Sequence, residues 1–167
     1  YEAEIIEVEG DSSKGLPGLQ IVGMGNKAID EAKERVRSAI KNSMLDFPAK
    51  KIVINLAPAE LPKDGTFFDL PIAISILILS GQIKQHEIKS KAFVGELSLS
   101  GELRPVKGII NILEKLRTSG INEVFIPLDN LESSSLIDGI KIIAAKNLKE
   151  IFLHLKGEKT ITNQIIE

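Results

Sequence analysis

Cysteine and tryptophan are both absent from this chain of 167 residues. The chain therefore forms no disulfide, has no thiolate metal site and offers no cysteine nucleophile. Aromatic residues make up only 4% of the sequence, so the interior must be aliphatic and few rings are available to stack on nucleic-acid bases. A chain without cysteine suits a reducing compartment, and we expect a cytoplasmic location.

Long hydrophobic runs are also missing. The longest, residues 70–79, has ten residues with Pro71 and Ser75 inside it, whereas a membrane span needs roughly 20. We therefore expect no membrane contact. The formal net charge is only −2, so the domain as a whole should not attract nucleic acid, which leaves that role to a local basic face.

The remaining composition, 43% hydrophobic and 26% charged, is typical of a folded globular domain and excludes a disordered or collagen-like chain. The sequence opens with Tyr1 in an acidic stretch and shows neither an initiator methionine nor a signal peptide. We expect it to be part of a longer protein.

Strand and helix patterns alternate along the first half of the chain. Residues 2–9 and 19–22 are predicted to form a hairpin around a turn-rich segment. Apolar residues at helical spacing predict a helix over 26–43, and 51–56 is a predicted strand. Asp69 is placed to cap a buried helix that ends near residue 80.

The second half continues this alternation, which predicts an α/β fold. Residues 92–95 and 97–103 suggest a second hairpin with Gly101 at a tight turn. The later predicted elements are a helix around 109–116, a strand at 124–126, a short helix at 130–136, a strand at 141–144 and a helix at 148–155. We expect one domain over residues 1–156, followed by a polar tail, 157–167, that begins a linker.

The segment from Gly23 to Ala28 imitates a dinucleotide-binding fingerprint, since two glycines follow a predicted strand and open a helix. A true fingerprint needs an acidic residue at the end of the next strand. Asp46 lies near the right distance but precedes that strand. We favour a tight turn that simply needs glycine, and we expect no cofactor in this domain.

Other catalytic signatures are weak. No phosphate-binding P-loop sequence occurs, so this chain should not hydrolyse ATP by itself. The two histidines, His86 and His154, stand far apart without a second ligand at metal-binding spacing, so we expect no metal site.

Positive charge is concentrated between residues 27 and 51, where seven basic and four acidic residues give a local net charge of +3. Arg37 and Lys41 are four residues apart on the predicted helix, so they could meet phosphates together with Lys50 or Lys51. The alternative is a solvated helix face on which Glu31 and Glu34 pair with neighbouring cations. No aromatic residue is interleaved to stack bases, which favours the alternative.

The run Pro62 to Gly65 before an apolar helix, then Gly95-Glu96-Leu97 and Pro105-Val106-Lys107-Gly108, resembles the proteolytic domain of Lon proteases. Carried over by this resemblance, the positions of the Lon serine–lysine dyad are Phe67 and Ile110. Neither side chain can act as a nucleophile or a base. The resemblance therefore implies a Lon-like domain without proteolytic activity.

A longer resemblance covers nearly the whole chain, through GLPGLQIVGMGNKAIDEAKERVRSAI, FPAKKIVINLAPAELPKDGTFFDLPIAI and FVGELSLSGELRPVKGI. These stretches are similar to the N-terminal domain of the ComM/YifB family of Mg-chelatase-like AAA+ ATPases. The implied fold is that shared by Lon and ribosomal protein S5 domain 2, a sheet with packed helices. In that superfamily a left-handed crossover occurs, so we leave open the handedness of the connection from residue 51 through the buried helix to residue 92.

The family resemblance also implies a role in DNA processing, namely branch migration during natural transformation. It implies a hexamer of the longer protein, with ATP and Mg²⁺ bound in a separate AAA+ module that the tail would join. Two functions remain open for this domain: one organises the ring and touches DNA through Arg37, Lys41, Lys50 and Lys51, and the other is purely structural oligomerisation. A residual peptidase is disfavoured, because Thr66 and Ser75 have no placed base.

Overall fold

The computed structural model describes residues 7–13, 15–23, 26–57 and 68–165. The strands within them are β1 (Glu7–Ser13), β2 (Gly18–Val22), β3 (Lys51–Ala57), β4 (Lys91–Phe93), β5 (Glu96–Leu97), β6 (Leu103–Arg104), β7 (Glu123–Pro127), β8 (Lys141–Ala145) and β9 (Gln164–Ile165). The helices are α1 (Asn26–Asn42), α2 (Asp69–Leu79), α3 (Ile109–Thr118), α4 (Leu131–Ser134) and α5 (Leu148–Leu155). Helices and mixed sheets together confirm the predicted α/β class.

The first sheet has the strand order β1-β3-β2, with β1 antiparallel and β2 parallel to the central β3. The predicted hairpin of the first two strands is therefore wrong. Helix α1 carries the chain from β2 to the start of β3, so these strands pair in parallel, and β3 then lies between β2 and β1. Ile52, Ile54 and Leu56 of β3 are fully buried, which explains why this strand takes the central position.

The second sheet has the order β4-β7-β8-β9, in which the first three strands are parallel and β9 is antiparallel to β8. The connection from β3 through α2 to β4 thus joins strands of two different sheets. The rule for crossover handedness applies to parallel strands of one sheet, so the question that the sequence left open does not arise for this connection.

The tail predicted from Gly157 returns to the second sheet instead of leaving the domain. The main-chain N–H of Ala144 donates to the carbonyl of Asn163 at 2.8 Å, and β9 pairs with β8 through Gln164 and Ile165. Ile161 is buried in the main core. The chain therefore belongs to the same domain through Ile165, nine residues beyond the boundary that the sequence suggested at residue 156.

The second predicted hairpin is present in a shorter form, as the β5–β6 ladder, while β4 pairs with β7 in the larger sheet. Gly101 lies at the turn with φ of +94°. A Cβ at this position would lie 2.6 Å from Oγ of Ser43. The glycine is required both by the backbone conformation and by the close approach of the end of α1.

Helix α2 is buried on nearly all sides, as its apolar sequence predicts: Leu70, Ile72 and Ile76 are fully buried. It lies in the main hydrophobic cluster together with residues of α1, β3 and α5, whereas α3 packs in a second cluster on β7 and β8. None of the helices in the described ranges is long and apolar enough to cross a membrane.

Candidate functional site

The four predicted DNA-contacting residues lie at one end of the β2–α1–β3 unit. Arg37 and Lys41 belong to the second half of α1, Lys50 precedes β3 and Lys51 begins it. Because β2 and β3 are parallel, α1 must return the chain, and its C-terminal end lies at the edge where β3 starts. We call these four residues the basic end.

Its three lysines are exposed and form no ion pair with any residue that the structure describes. Lys41 lies in the last turn of α1, where unpaired carbonyls carry partial negative charge and stabilise a cation. Lysines that are not neutralised by carboxylates can contact phosphates without regard to base sequence. These three side chains are therefore the accessible charges of the basic end.

Arg37 differs from the lysines because it is half-buried. Its Cζ lies 5.2 Å from the ring centroid of Phe47, which is a cation–π contact. Its Nε is buried without a hydrogen-bond partner among the described residues. Arg37 thus packs against the loop that follows α1, and replacing it would disturb that packing as well as remove a charge.

The ring of Phe47 does not supply the missing base-stacking platform, because the guanidinium of Arg37 lies over it and the side chain is half-buried. A groove of about 440 Å³ lies elsewhere, beside β6 and the ends of β7 and β8. Its charged residues are Glu102, Arg104, Asp129 and Lys146. Their charges balance, so this groove gives no reason to place a polyanion there.

Of the two Lon dyad positions, the structure describes only Ile110. Phe67 and Thr66 lie outside the described residues. Ile110, the second residue of α3, packs against the second hydrophobic cluster. The position that the resemblance gives to the lysine base is thus part of an apolar contact, and Lys107 lies exposed in the turn before the helix.

The strongest polar contact in the described residues is one that the sequence did not predict. Asp69 does not cap α2, whose N-cap position is occupied by Phe68. Its carboxylate accepts hydrogen bonds from Nε of Arg35 at 2.6 Å, from Nη2 of Arg35 at 3.0 Å and from the N–H of Leu97 at 3.0 Å. This ion pair joins α1, α2 and β5.

Burial raises the pKa of Asp69, and the hydrogen bonds from Arg35 and Leu97 oppose that rise. The pKa of Arg35 is itself raised, chiefly by its hydrogen bond to Asp69. Both pKa values are raised, which disfavours the charged form of Asp69 and favours the charged form of Arg35. Desolvation weighs more on the carboxylate because the side chain of Asp69 is only 1% exposed, whereas that of Arg35 keeps 18%. A signal was available in the sequence, since an acidic residue inside an apolar run requires a buried partner.

The imitation fingerprint is only partly described, because residues 24–25 are outside the structure's described ranges. Gly23 has φ of +103°, and a Cβ there would lie 2.5 Å from the carbonyl oxygen of Leu56. Asp46 lies in the loop before β3, as predicted. The described glycine therefore serves the tight packing of this turn against β3.

Comparison with known proteins places the chain in a family. Residues 8–130 match the family described as subunit ChlI of Mg-chelatase. The chain belongs to this family. It is 44% identical to YifB of Escherichia coli over 156 residues, which is 93% of this chain and 31% of YifB. It is 39% identical to competence protein ComM of Haemophilus influenzae over 160 residues, 96% of this chain and 31% of ComM.

Lon proteases are also related to the chain. Lon protease 2 of Bacillus subtilis is 35% identical over 148 residues, which is 87% of this chain and 26% of that protease. These matches confirm the resemblance to the ComM/YifB family and the Lon-like fold. The chain spans about a third of the length of YifB and ComM.

Magnesium occurs in the name of the family to which the chain belongs. Within the described ranges no three histidine, aspartate or glutamate side chains come together in a way that could hold one. Asp69 is buried and engaged by Arg35, and His86 stands exposed on a short 3₁₀ segment. The described part of this domain therefore offers no fit for a metal ion.

Proposed function

We propose that this chain is a non-proteolytic, Lon-like module of a Mg-chelatase-like AAA+ ATPase that processes DNA, and that its basic end contacts the DNA backbone. The family membership supports the larger assignment. The description of one relative as a competence protein supports a role in natural transformation, for which branch migration is the implied activity. ATP and Mg²⁺ would bind in the separate ATPase module, and the full-length protein would form a cytoplasmic hexamer.

The observation that carries the DNA contact is the set of exposed lysines at the basic end, which form no ion pair within the described residues. They lie on α1 and at the start of β3, two elements fixed by the main core, so their spacing is set by the fold. Neutralising phosphates with fixed cations releases counterions and gives salt-sensitive binding. Ile110, buried in part where Lon has its lysine, supports the non-proteolytic assignment.

The test is fluorescence anisotropy of the chain with single-stranded, duplex and branched DNA at low and moderate salt. Three phosphate contacts on duplex DNA give a slope of log K against log salt of about −2.7, which is a loss of roughly 40-fold between about 50 and 200 mM salt. Reversing charge at Lys41, Lys50 and Lys51 together should abolish this dependence. Arg37 is kept unchanged, because its packing on Phe47 would confound the result.

The matched control reverses charge at Lys27, Lys89 and Lys107, which are also exposed lysines and change the net charge by the same amount. It should retain the salt-sensitive binding of the parent chain. Equal loss in both triple variants would mean that only net charge matters. Absence of binding at low salt would favour the second candidate, a purely structural oligomerisation domain, for which the overall charge of −2 argues.

A further inference from the structure

The last described segment of the chain folds back as a strap, which we define as residues 157–165. Ile161 is buried in the main core, and Gln164 and Ile165 extend the second sheet along β8. Nε2 of the Gln164 side chain donates to the carbonyl of Ile161 at 2.6 Å. The strap is thus held by buried Ile161, by partly buried Ile165 packed against the second hydrophobic cluster, and by hydrogen bonds to a sheet edge.

One side-chain contact ties the strap to α5. The N–H of Ile161 donates to Nδ1 of His154 at 3.0 Å. This bond requires a lone pair on Nδ1, so His154 must be neutral with its proton on Nε2. The imidazole also lies edge-on to Phe125, with ring centroids 5.5 Å apart and planes at 74°, so the ring packs against the second sheet.

The charges around His154 come from three strands of the second sheet. Lys91 on β4 and Lys141 on β8 both approach Glu123 on β7, at 4.0 and 3.6 Å. Two cations thus share one carboxylate near the imidazole. Burial lowers the pKa of His154 below its ordinary value, Glu123 opposes this, and Lys141 and Lys91 add to it.

We infer that His154 is a proton-sensitive latch: protonation of Nδ1 replaces the acceptor of the Ile161 amide by a second donor and releases the strap from the sheet. The docked strap requires neutral imidazole, whereas the released strap leaves the imidazole free to titrate. Protonation therefore leaves docking unaffected above the ordinary histidine pKa of about 6.5 and weakens it as the pH falls below that value. One proton shifts the equilibrium towards release by at most about tenfold for each pH unit.

Under the proposed function, a separate ATPase module follows this domain, and the relatives are about three times as long as this chain. Releasing the strap would add up to nine residues to the link between the two, each of which spans at most about 3.5 Å. The latch would thereby change how far the domain reaches from the following part of the protein. This inference does not depend on DNA binding.

Nuclear magnetic resonance of the 167-residue chain tests the latch, since it contains only two histidines. Between pH 8 and 5 we expect neutral His154 to carry its proton on Nε2 and to titrate below the ordinary histidine pKa of about 6.5. As the pH falls, the amide chemical shifts of Ile161, Gln164 and Ile165 should move towards those of an unstructured chain. The pH midpoint of this change should equal the midpoint of the His154 titration. Signals of β2 and β3 should stay unchanged, which separates strap release from unfolding.

Two variants complete the test. His154→Asn places the amide oxygen Oδ1 where Nδ1 lies and so offers an acceptor that does not titrate. The strap signals of this variant should not depend on pH, and His86→Asn should behave like the parent chain. Strap signals that keep their docked values while His154 becomes protonated would overturn the inference, as would the same pH response in His154→Asn. If His154→Asn does not fold, the parent chain still decides: a neutral imidazole with its proton on Nδ1 is incompatible with the latch.

Discussion

Replacing Arg35 by methionine tests whether the Arg35–Asp69 pair holds α1, α2 and β5 together. Without the guanidinium, the Asp69 carboxylate is left 1% exposed with the N–H of Leu97 as its remaining described donor. Removing one partner of a buried ion pair leaves an uncompensated charge and costs about 3–5 kcal/mol. We expect Arg35→Met to lower the free energy of unfolding by this amount, a large share of the roughly 5–15 kcal/mol available to a domain.

The reciprocal change, Asp69→Asn, should cost less. The side chain of Arg35 is 18% exposed, so its guanidinium can turn partly towards water when the carboxylate is gone. The oxygen of the asparagine amide can still accept from Leu97. We expect a loss of about 1–3 kcal/mol, the usual cost of a buried hydrogen bond that is weakened on one side. Arg35→Met should therefore lower the free energy of unfolding more than Asp69→Asn does, because Asp69 is more deeply buried than Arg35.

The stability of Arg35→Met should also depend on pH in an unusual direction. Burial raises the pKa of Asp69, and the variant removes the hydrogen bonds from Arg35 that oppose this rise while leaving the one from Leu97. A carboxyl group whose folded pKa lies above its unfolded value of about 3.8 is favoured by the fold in its protonated form. The contribution of Asp69 to the stability of the variant is therefore fully present below that value and is lost as the pH rises through the raised pKa.

Urea unfolding followed by circular dichroism measures these losses, because the chain has no tryptophan to report by fluorescence. Arg117→Met serves as the control, since Arg117 and Glu114 form an ion pair in which both side chains are exposed, and its midpoint should match the parent chain. Equal losses in Arg35→Met and Asp69→Asn would refute the burial argument. A loss in Arg35→Met no larger than in the control would refute the structural role of the pair.

Two further predictions concern the turn at Gly101 and the strap. Gly101→Ala should destabilise the chain by about 1–3 kcal/mol in urea unfolding, because φ is +94° and the new Cβ meets Oγ of Ser43. The double variant with Ser43→Ala should recover the share of this loss that is due to the contact with Oγ, and the share due to backbone strain should remain. Ending the chain at residue 156 should cost at least about 1.5–3 kcal/mol in the same assay, because the buried side chain of Ile161 is lost. An unchanged urea midpoint would instead support the sequence-based prediction that a polar tail outside the domain begins at residue 157.

Most elements of this fold could be predicted because their signals are local. The apolar spacing along α1 and the continuous apolar run of α2 identify both helices within a residue or two of their observed ends. The turn at Gly101 could also be predicted locally, because a backbone with positive φ favours glycine. Each of these signals depends on neighbouring residues alone.

The pairing of β1 with β2 was predicted wrongly because pairing also depends on residues far along the chain. The turn-rich segment between β1 and β2 marks a reversal of the chain, but it does not say that the two strands pair, and β3 lies between them. The strap was missed for a similar reason. Residues 157–160 are exposed and polar, and the one buried anchor, Ile161, is too isolated to form a periodic pattern.

Within the candidate site, the sequence identified the four cations but not their different environments. Arg37 looks like Lys41 in a helical projection, yet its guanidinium is occupied by Phe47, a residue ten positions later in the following loop. Asp69 was assigned to a local cap because capping is the common role of an aspartate at a helix start. Its partner Arg35 is 34 residues away, a separation that no local pattern reveals.

The ion pair and the basic end are connected through α1. Arg35 lies two residues before Arg37 on this helix and fixes it to α2 and β5, while Lys50 and Lys51 belong to the edge of the first sheet. Loosening the pair would change the spacing between Lys41 and these two lysines without removing a charge from the basic end. If the basic end acts as a set of independent charges, DNA affinity would survive that loosening. If its fixed spacing matters, DNA affinity would fall in Asp69→Asn although the charges at Lys41, Lys50 and Lys51 are all retained. The DNA affinity of Asp69→Asn therefore distinguishes a phosphate-binding surface of defined geometry from one that is only basic.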